Sequence, residues 1–342
     1  MLGLRARGHR AVLVAHRDGE LFRRASEGPD LVPLAPMNEI DLAAAWRLSK
    51  IIRKWRPAVV HAHDPHAVSM TSLALSFGAP APRPVTIASR RVDFHLQSHA
   101  FSQWKYRQVD AFIAASEAIK GILVQDGIAR DRIHVVHDGI DVEKIAHRPV
   151  IDLHQEYYLP HGVPVIVNVG ALVGHKGQKY LVEAMPLVLR DVHDAHLIIF
   201  GEGELRATLE KQIKHLNLTK RILLPGFRED VLSLMKSADL FVMSSVTEGL
   251  GSAVLDAMAM GHAVVGTRAG GIPEAVVPDQ TGLLVDTADP KALAAAIVKL
   301  LKDATLRKQF GAAGLKRVAE QFDVDHLVDG TLDVYRRVTA TR

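Results

Sequence analysis

Glu248 and Asp256 lie eight residues apart in the glycine-rich stretch SSVTEGLGSAVLD, which spans residues 244–256. Two carboxylates at this spacing can act as a general acid and base, or each can accept hydrogen bonds from sugar hydroxyls. They can also be an ordinary loop charge and an exposed helix residue. Glycosidase-type acid–base chemistry is disfavoured because the stretch offers no flanking site for a water molecule. The residues alone leave binding and plain surface charge open.

The elements around this stretch predict a site for an anion. The run DLFVMSS (239–245) has the composition of a buried strand, and SAVLDAMAM (252–260) begins a helix. Ligands of open α/β sheets bind beyond the carboxyl ends of the strands. A helix N-terminus after glycines presents unpaired N–H groups, which suits a phosphate or diphosphate. Glu248 then projects from the turn, and Asp256 lies about one turn inside the helix.

Short apolar runs alternate with amphipathic stretches along the whole chain, which predicts parallel sheets covered on both faces. The predicted strands are 11–16, 58–63, 84–89, 111–116 and 133–138 in the first half, and 163–170, 196–201, 221–226, 239–245, 262–267 and 281–286 in the second. The predicted helices are 42–55, 117–126, 177–190, 203–216, 252–260, 290–302, 304–321 and 322–338. Two such series indicate two doubly wound α/β domains, with a linker and domain entry at 145–164.

Composition narrows the class of protein. The chain has 342 residues and no cysteine, which excludes disulfides and thiolate metal sites. No apolar run reaches the ~18 to 20 residues of a membrane span, and the N-terminus does not resemble a signal peptide, so we expect a cytoplasmic protein. The net charge of +4 is uneven: residues 1–150 carry about +6 and the remainder about −2. A basic first half favours an anionic substrate or an anionic membrane surface, although a solvated surplus of charge explains it as well.

Four further segments have residue types that could bind a ligand. HAHDPHA (61–67) places His61 and His63 on one face of a strand, with His66 in a following turn. This cluster is interpreted as a polar lining of a cleft rather than as a zinc site. Asp323 and Asp325 resemble a metal-binding pair, but at a helix start we expect them to cap the helix. Helix 43–57 and segment 94–107 mix aromatic and basic residues, which suits either membrane contact or a solvated basic face.

Several segments resemble family 4 retaining glycosyltransferases with the GT-B fold. These are HDGIDVEKI (137–145), VGALVGHKGQKYLVEAM (169–185), IIFGEGELRATLE (198–210), LLPGFREDV (223–231) and the long run 238–286, which are distributed over residues 137–286. The resemblance implies two Rossmann-like domains facing across a cleft. The first would comprise residues 1–148, rejoined by the C-terminal helix 322–342, and the second residues 149–321. It also implies a UDP- or GDP-sugar as the donor, retained anomeric configuration, and no metal or other cofactor.

The resemblance assigns roles to individual residues. The Glu-x7-Glu motif of the family falls on Glu248 and Asp256, so Glu248 would hold the donor's sugar and the shorter Asp256 the ribose. Lys176 matches the family lysine of a Lys-Gly turn and would neutralise the diphosphate, an electrostatic effect on the leaving group. Glu248 and Lys176 are therefore the predicted catalytic residues. The residues assigned to donor binding are Gly170, Glu202, Phe227, Arg228, Leu250, Gly251, Ser252, Ala253 and Asp256.

This sequence departs from the family at three places. Ala171 stands where an arginine is usual, so one cation near the diphosphate is missing or comes from elsewhere. Ser89 or Arg90 stands where the first domain usually has a histidine, which makes Arg90 and Arg91 candidates for an anionic acceptor or for the donor phosphates. The residues assigned to the acceptor or phosphate side are His63, His66, Ser89, Arg90 and Arg91. The usual first strand and its glycine-rich loop are absent, so we expect a truncated chain or a misplaced start, with donor binding but poor turnover.

The sequence thus predicts a retaining glycosyltransferase that acts on a glycan, lipid or small-molecule acceptor. Cell-surface polysaccharide, lipopolysaccharide or glycolipid synthesis is the expected context, in the cytoplasm, either free or in peripheral contact with the inner face of the membrane. Nucleic acid is not an expected partner. Two rivals stay open: a sugar-nucleotide epimerase of the same fold, and a protein that binds donor without catalysis.

Overall fold

Strands and helices alternate in two separate units of the chain. The computed structural model describes residues 1–25 and 30–341. Unit 1 consists of Met1–His137 with Asp325–Arg342, and unit 2 of Asp138–Val324. Among the described residues, no helix combines the length and the apolar character needed to cross a membrane.

The first part of unit 1 contains six helices and six strands among the described residues. They are α1 (Leu2–Ala6), β1 (Val12–Ala15), α2 (Glu20–Arg24), β2 (Asp30–Pro33), α3 (Leu42–Trp55), β3 (Val59–Ala62), α4 (Pro65–Ser76), β4 (Val85–Arg90), α5 (Ala100–Arg107), β5 (Ala111–Ala114), α6 (Glu117–Gln125) and β6 (Ile133–Val135). Strands β3 to β6 form one parallel sheet in chain order, whereas β1 and β2 pair in a separate two-stranded sheet. The predicted strand 11–16 therefore forms, but outside the four-stranded sheet.

Unit 2 continues the same alternation. Its elements are α7 (Val142–Ala146), α8 (Leu153–Glu156), β7 (Val165–Val169), α9 (Gln178–Asp191), β8 (His196–Phe200), α10 (Arg206–His215), β9 (Ile222–Gly226), α11 (Val231–Met235), β10 (Leu240–Met243), α12 (Ser252–Ala259), β11 (Val264–Thr267), α13 (Ile272–Ala275), β12 (Gly282–Val285), α14 (Pro290–Lys302) and α15 (Ala304–Gln321). The final helix, α16 (Val324–Ala340), belongs to unit 1 from Asp325 onward.

The sheet of unit 2 is doubly wound. Its six parallel strands follow the order β12-β11-β10-β7-β8-β9. This is the order of a dinucleotide-binding fold, and its direction reverses between β7 and β10. Ile166 of β7 packs into the apolar cluster that contains α9, α10 and α14, whereas its neighbours Val165 and Val167 pack into the cluster that contains α12. Both faces are therefore covered, which explains why these strands are apolar throughout.

The two central strands separate at the point where the order reverses. Their backbone register pairs Leu240 with Ile166 and Phe241 with Val167. One residue further on, the side chain of Asn168 donates to the carbonyl of Val242 at 2.8 Å. A side-chain amide thus takes over where the backbone ladder ends, and the loops after β7 and β10 leave the sheet from this opening.

The boundary of the units differs from the predicted one. The chain passes between them at His137/Asp138 and at Val324/Asp325, rather than at 148/149 and 321/322. Ile145 and Leu153 explain the first difference, because both are buried in a core cluster of unit 2. The predicted linker 145–164 consequently contains helix α8 and packs on unit 2.

Helix α4 corrects another expectation. Asp64 accepts a hydrogen bond from the backbone N–H of Ala67 and caps the helix, and Pro65 occupies its first turn. An aspartate cap followed by proline is a strong helix start. His66 is therefore a residue of the first helical turn and not of a turn after the strand.

Candidate active site

The loops after β7 and β10 dock onto each other at the carboxyl edge of the sheet. Gly177 adopts φ +63°, and a Cβ there would lie 2.1 Å from the carbonyl oxygen of Ser244. Only glycine fits this approach. The backbone N–H of Val246 donates to the carbonyl of His175 at 2.7 Å, and the hydroxyl of Ser244 donates to the carbonyl of Lys176 at 3.1 Å. The Lys-Gly turn is thereby fixed against the strand that precedes Glu248.

Lys176 and Glu248, the two predicted catalytic residues, form an ion pair. Lys176 Nζ lies 2.6 Å from Glu248 Oε2, and the side chains are 20% and 12% exposed. Ser245, which is fully buried, donates its hydroxyl to the same oxygen at 2.9 Å. Gly270 fixes the other side of the glutamate, because a Cβ at Gly270 would lie 1.7 Å from the carbonyl oxygen of Glu248. Charged and hydroxyl donors therefore converge on one carboxylate oxygen.

The turn after Glu248 presents free backbone donors. Gly251 adopts φ +89° and precedes α12 without a side-chain cap. Across the described part of the chain, no acceptor lies within hydrogen-bond reach of the N–H groups of residues 250–253. The first N–H groups of a helix carry its positive dipole end. These four donors, from Leu250, Gly251, Ser252 and Ala253, are suited to an anion.

Asp256 lies on the less buried side of α12. It shares that side with the exposed Ser252, whereas Leu255 and Ala257 are buried. Burial raises the pKa of the Asp256 carboxyl to about 6, although the nearby Arg148 lowers it. The Nε atom of Arg148 is itself buried and has no hydrogen-bond partner among the described residues. Asp256 is thus a partly desolvated carboxyl that an external hydrogen-bond donor would stabilise in its charged form.

A cavity of about 370 Å³ opens at the carboxyl ends of β7, β8 and β9. Its lining residues are Val169, Gly170, Ala171, Phe200, Gly201, Glu202, Phe227, Arg228 and Val231. The cavity adjoins the lysine, because a Cβ at Gly170 would lie 3.7 Å from Cδ of Lys176. Four residues predicted from the sequence to bind donor therefore surround one cavity beside the ion pair of Lys176 and Glu248.

The polar groups of this cavity are held by neighbours. Arg206 pairs with Glu202 at 2.8 Å. Gly226 leaves room for this glutamate, since a Cβ there would lie 2.5 Å from its Oε1. Arg228 pairs with Glu156 at 2.6 Å and with Asp230 at 2.7 Å.

Phe227 lines the same cavity on the side that faces solvent. Its ring is 72% exposed, so one face is free to stack on a ligand. The ion pairs of Arg228 hold the adjacent wall, and the cavity presents an aromatic surface next to fixed charges.

A second polar cluster lies in unit 1, at the carboxyl ends of β3 and β4. His61 Nδ1 lies 2.6 Å from the hydroxyl of Tyr335, and His61 Nε2 lies 2.8 Å from the hydroxyl of Ser89. His63 stacks on His61, with the ring centroids 4.1 Å apart. The sheet register aligns His61 with Ile87 and Ala62 with Ala88, so His63 continues this alignment beside Ser89.

The other predicted acceptor-side residues lie around this cluster. Arg91 follows β4 directly and is exposed. Desolvation lowers the pKa of both histidines, and the charge of Arg91 lowers it further. Arg90 instead donates to the carbonyl of Phe94. His66 is 66% exposed, and its Nδ1 lies 4.0 Å from Glu39. Ser89, His63 and Arg91 are therefore grouped, whereas Arg90 and His66 make separate contacts.

Several residues that hold these sites together were not assigned a role from the sequence. Ser245 and Gly270 hold Glu248, Tyr335 holds His61, and Gln178 donates to the carbonyl of Ala171 at 3.0 Å. The role of Ser245 could have been predicted, because it lies three residues before Glu248 in the segment that follows β10. Tyr335 had none, because it is 274 residues from its partner His61.

Comparison with known proteins identifies the class. A family model for glycosyl transferases group 1 matches residues 151–317, and one for Glycosyltransferase Family 4 matches residues 1–144. The chain is 25% identical to N-acetyl-alpha-D-glucosaminyl L-malate synthase of Bacillus anthracis, over 86% of this chain and 78% of that protein. It is 29% identical to glycogen synthase of Mycobacterium tuberculosis, over 87% and 74%.

A solved structure shares the fold over nearly the whole chain. HepE from Anabaena, crystallised with UDP, superposes with a TM-score of 0.80 over 99% of this chain and 95% of that one, at 20% identity. Together, the two family models match most of the chain. The chain therefore belongs to glycosyltransferase family 4 and is a glycosyltransferase of the GT-B fold.

Proposed function

We propose that this glycosyltransferase moves a sugar from a UDP- or GDP-sugar to an acceptor hydroxyl with retention of configuration. The observation that carries the proposal is the Lys176–Glu248 pair, at 2.6 Å, beside the free N–H groups of residues 250–253. A cation and a row of backbone donors suit a diphosphate, and a carboxylate suits sugar hydroxyls. These groups lie where the sheet order reverses, which is the ligand position of such sheets.

Each part of the donor has a complementary surface in unit 2. The nucleobase enters the 370 Å³ cavity and stacks on Phe227. The ribose hydroxyls donate to Asp256, whose charged form they stabilise. The diphosphate accepts from residues 250–253 and from Lys176, and Glu248 accepts from the sugar. The size of the cavity and the crystallisation of HepE with UDP support a nucleoside diphosphate.

The chemical step transfers one proton. The bond between the anomeric carbon and the phosphate oxygen breaks, and a bond from the acceptor oxygen to that carbon forms on the same face. The departing phosphate oxygen takes the proton of the acceptor, so the step needs no protein base. Lys176 and the α12 N–H groups stabilise the charge that develops on the leaving diphosphate. In this proposal they supply the charge compensation without a metal ion.

The ion pair prepares this step. Without ligand, Glu248 neutralises Lys176 and keeps both side chains in place. A diphosphate offers Lys176 a second anion, and the sugar hydroxyls offer Glu248 new donors. The hydroxyl of Ser245 keeps Glu248 in position during this exchange. The protein thereby avoids reorganising charged groups in the transition state.

A transfer assay tests the proposal. The full chain is incubated with labelled UDP- and GDP-sugars and a panel of glycan, lipid and small-molecule acceptors, and the anomeric configuration of the product is read by NMR. We expect one donor to give a product of retained configuration. Glu248→Ala and Lys176→Ala should lower kcat/KM by at least about 100-fold, the range seen when a transition-state donor is removed. Unimpaired transfer by either variant, or an inverted product, contradicts the proposal.

We further propose that the acceptor belongs to cell-surface glycan or glycolipid synthesis and that unit 1 contacts an anionic membrane. Helix α3 buries Ala44, Ala45, Leu48, Ser49 and Ile52. Its opposite side exposes Trp46 to 48%, with Lys50 Nζ 3.4 Å above the indole ring. Arg47 and Lys54 are exposed on the same helix. Aromatic and basic residues on one side of a helix suit the interface of an anionic bilayer.

Apolar side chains extend this surface at the start of α3. Met37, Ile40 and Leu42 are 87%, 55% and 54% exposed. Their loop is fixed, since Asp41 accepts from the N–H groups of Ala44 and Met37. Segment 94–107, the other predicted membrane segment, is unsuited at its C-terminal end, because Lys105 and Tyr106 are buried.

Vesicle sedimentation tests the membrane contact. We expect the full chain to bind vesicles that contain phosphatidylglycerol and not vesicles of phosphatidylcholine alone. Combined Lys50→Gln and Lys54→Gln substitutions should weaken this binding about 10-fold or more, at about 1 kcal/mol for each charge. The paired control Lys299→Gln with Lys302→Gln removes two exposed charges from α14. Equal binding by both double variants contradicts the contact through α3.

A further inference from the structure

Unit 1 has an excess of positive charge that the donor site does not use. It holds 22 Lys and Arg residues against 15 Asp and Glu, a net charge of +7, whereas unit 2 holds 20 against 23. Much of this charge lies on α3, and two further arginines, Arg90 and Arg91, lie at the carboxyl end of β4. The histidine cluster, defined as His61, His63, Ser89 and Tyr335, lies at those ends.

The lower part of the histidine cluster is fixed. Both ring nitrogens of His61 have partners, Tyr335 and Ser89, and the Tyr335 ring meets the imidazole edge-on at 5.6 Å. Burial and the charges of its neighbours lower the pKa of His61 well below its usual range. Burial raises the pKa of Tyr335, which therefore keeps its proton. His61 is thus neutral and held in place by two hydrogen bonds, and it supports the His63 ring that stacks on it.

The upper part of the histidine cluster is open. His63 is exposed to solvent, and neither of its ring nitrogens meets a hydrogen-bond partner in the described part of the chain. One face of the ring is nevertheless covered by His61. Desolvation, Arg91 and the α-amino group of Met1 lower the pKa of His63 to about 4, and Asp64 opposes them weakly. A neutral imidazole with free nitrogens therefore lies within the field of an arginine.

An anion is the ligand that complements this arrangement. It would accept from Arg91 and Ser89 and, by offsetting the arginine charge, allow His63 to take up a proton and become a second donor. A neutral sugar would gain nothing from the positive charge. A second cation would be repelled by Arg91.

We propose that His63 and Arg91, above His61 and Ser89, bind a phosphate or carboxylate group of the acceptor. This inference rests on the proposed function, which assigns the diphosphate of the donor to unit 2. It deepens that function, because it restricts acceptors to anionic molecules and makes His63 and Arg91 specificity-determining residues.

The first experiment requires no turnover. His63 is assigned in the NMR spectrum of the full chain through His63→Gln, and its pKa is measured with and without inorganic phosphate. We expect phosphate to raise the pKa of His63 by one unit or more. In Arg91→Gln we expect a higher starting value and little response to phosphate. Arg130→Gln, which removes an exposed charge elsewhere in unit 1, should respond as the parent protein does. If the pKa of His63 is the same with and without phosphate, the inference is overturned, even if transfer activity is found.

The second experiment identifies the source of the anion. Transfer is measured with matched acceptors that differ only in one phosphate or carboxylate. We expect the anionic acceptor to be preferred, and His63→Gln and Arg91→Gln to raise its KM about 10-fold each while the KM for the nucleotide-sugar is unchanged. A rise in the nucleotide-sugar KM instead would assign the site to the donor diphosphate and overturn the inference. A complete lack of transfer from every nucleotide-sugar would refute the proposed function while the NMR result still stands.

Discussion

Ser245→Ala isolates the hydroxyl that positions Glu248. The Ser245 hydroxyl donates to Glu248 Oε2 at 2.9 Å, and the residue is fully buried. A hydrogen bond to a charged group contributes about 1.5–3 kcal/mol, against about 0.5–1.5 for a neutral one. Ser244→Ala is the matched control, since its equally buried hydroxyl donates to a neutral carbonyl, that of Lys176. We expect the free energy of unfolding to fall about 1–2 kcal/mol further in Ser245→Ala than in Ser244→Ala.

Activity separates the two serines more sharply. Because 1.4 kcal/mol corresponds to a factor of ten in rate, loss of the Glu248 contact should lower kcat/KM about 10-fold or more. Ser244→Ala leaves the carboxylate contact intact and should change kcat/KM less than about 3-fold. Urea unfolding and initial transfer rates measure the two quantities. Equal losses of kcat/KM in the two variants would refute the positioning role of Ser245.

The remaining predictions concern the glycine that packs against the Glu248 backbone, the core of unit 1 and the carboxyl of Asp256. Gly270→Ala places a Cβ 1.7 Å from a carbonyl oxygen, whereas Gly261→Ala has a positive φ and no neighbour within 4 Å. Urea unfolding should show that the free energy of unfolding falls by about 2 kcal/mol or more in Gly270→Ala and by about 1 kcal/mol in Gly261→Ala. Equal losses would contradict the close approach at Gly270. Lys105→Met leaves Glu39 without the amine 3.0 Å away and should cost about 3 kcal/mol, whereas a loss below about 1 would refute this contact. Burial raises the pKa of Asp256 from 3.8 to about 6, so ionisation destabilises the fold as pH rises through that range. Asp256→Asn should therefore unfold at a higher temperature than the parent at pH 8 and at the same temperature below pH 3.8, and a difference that does not depend on pH would contradict the raised pKa.

Periodicity predicted most of unit 2 because its strands are apolar on both faces. The predicted strand 196–201 is observed as His196–Phe200 and the predicted helix 290–302 as Pro290–Lys302. Prediction was weaker where long-range pairing decides the structure. β2 was missed because its four residues, none of them buried, pair only with β1. The unit boundary shifted because Ile145 and Leu153 find their core in unit 2, which no local pattern reveals.

The candidate sites show the same division. Glu248 and Lys176 were predicted through short motifs, and the structure brings them within 2.6 Å of each other. The close approach of the two loops requires glycine at position 177, and the Lys-Gly motif already contained this glycine. Tyr335 could not be predicted, because a residue of the last helix reaches His61 only through the tertiary fold. The stacking of His63 on His61 follows from strand geometry, but the proposed anion binding also requires Arg91, which follows β4.

A crystal structure of the full chain with the nucleoside diphosphate that binds it, UDP or GDP, tests the central claim most directly. We expect the diphosphate to accept hydrogen bonds from the N–H groups of residues 250–253 and from Lys176 Nζ, with the base in the cavity beside Phe227. A diphosphate bound away from Gly251 and Lys176 would contradict it.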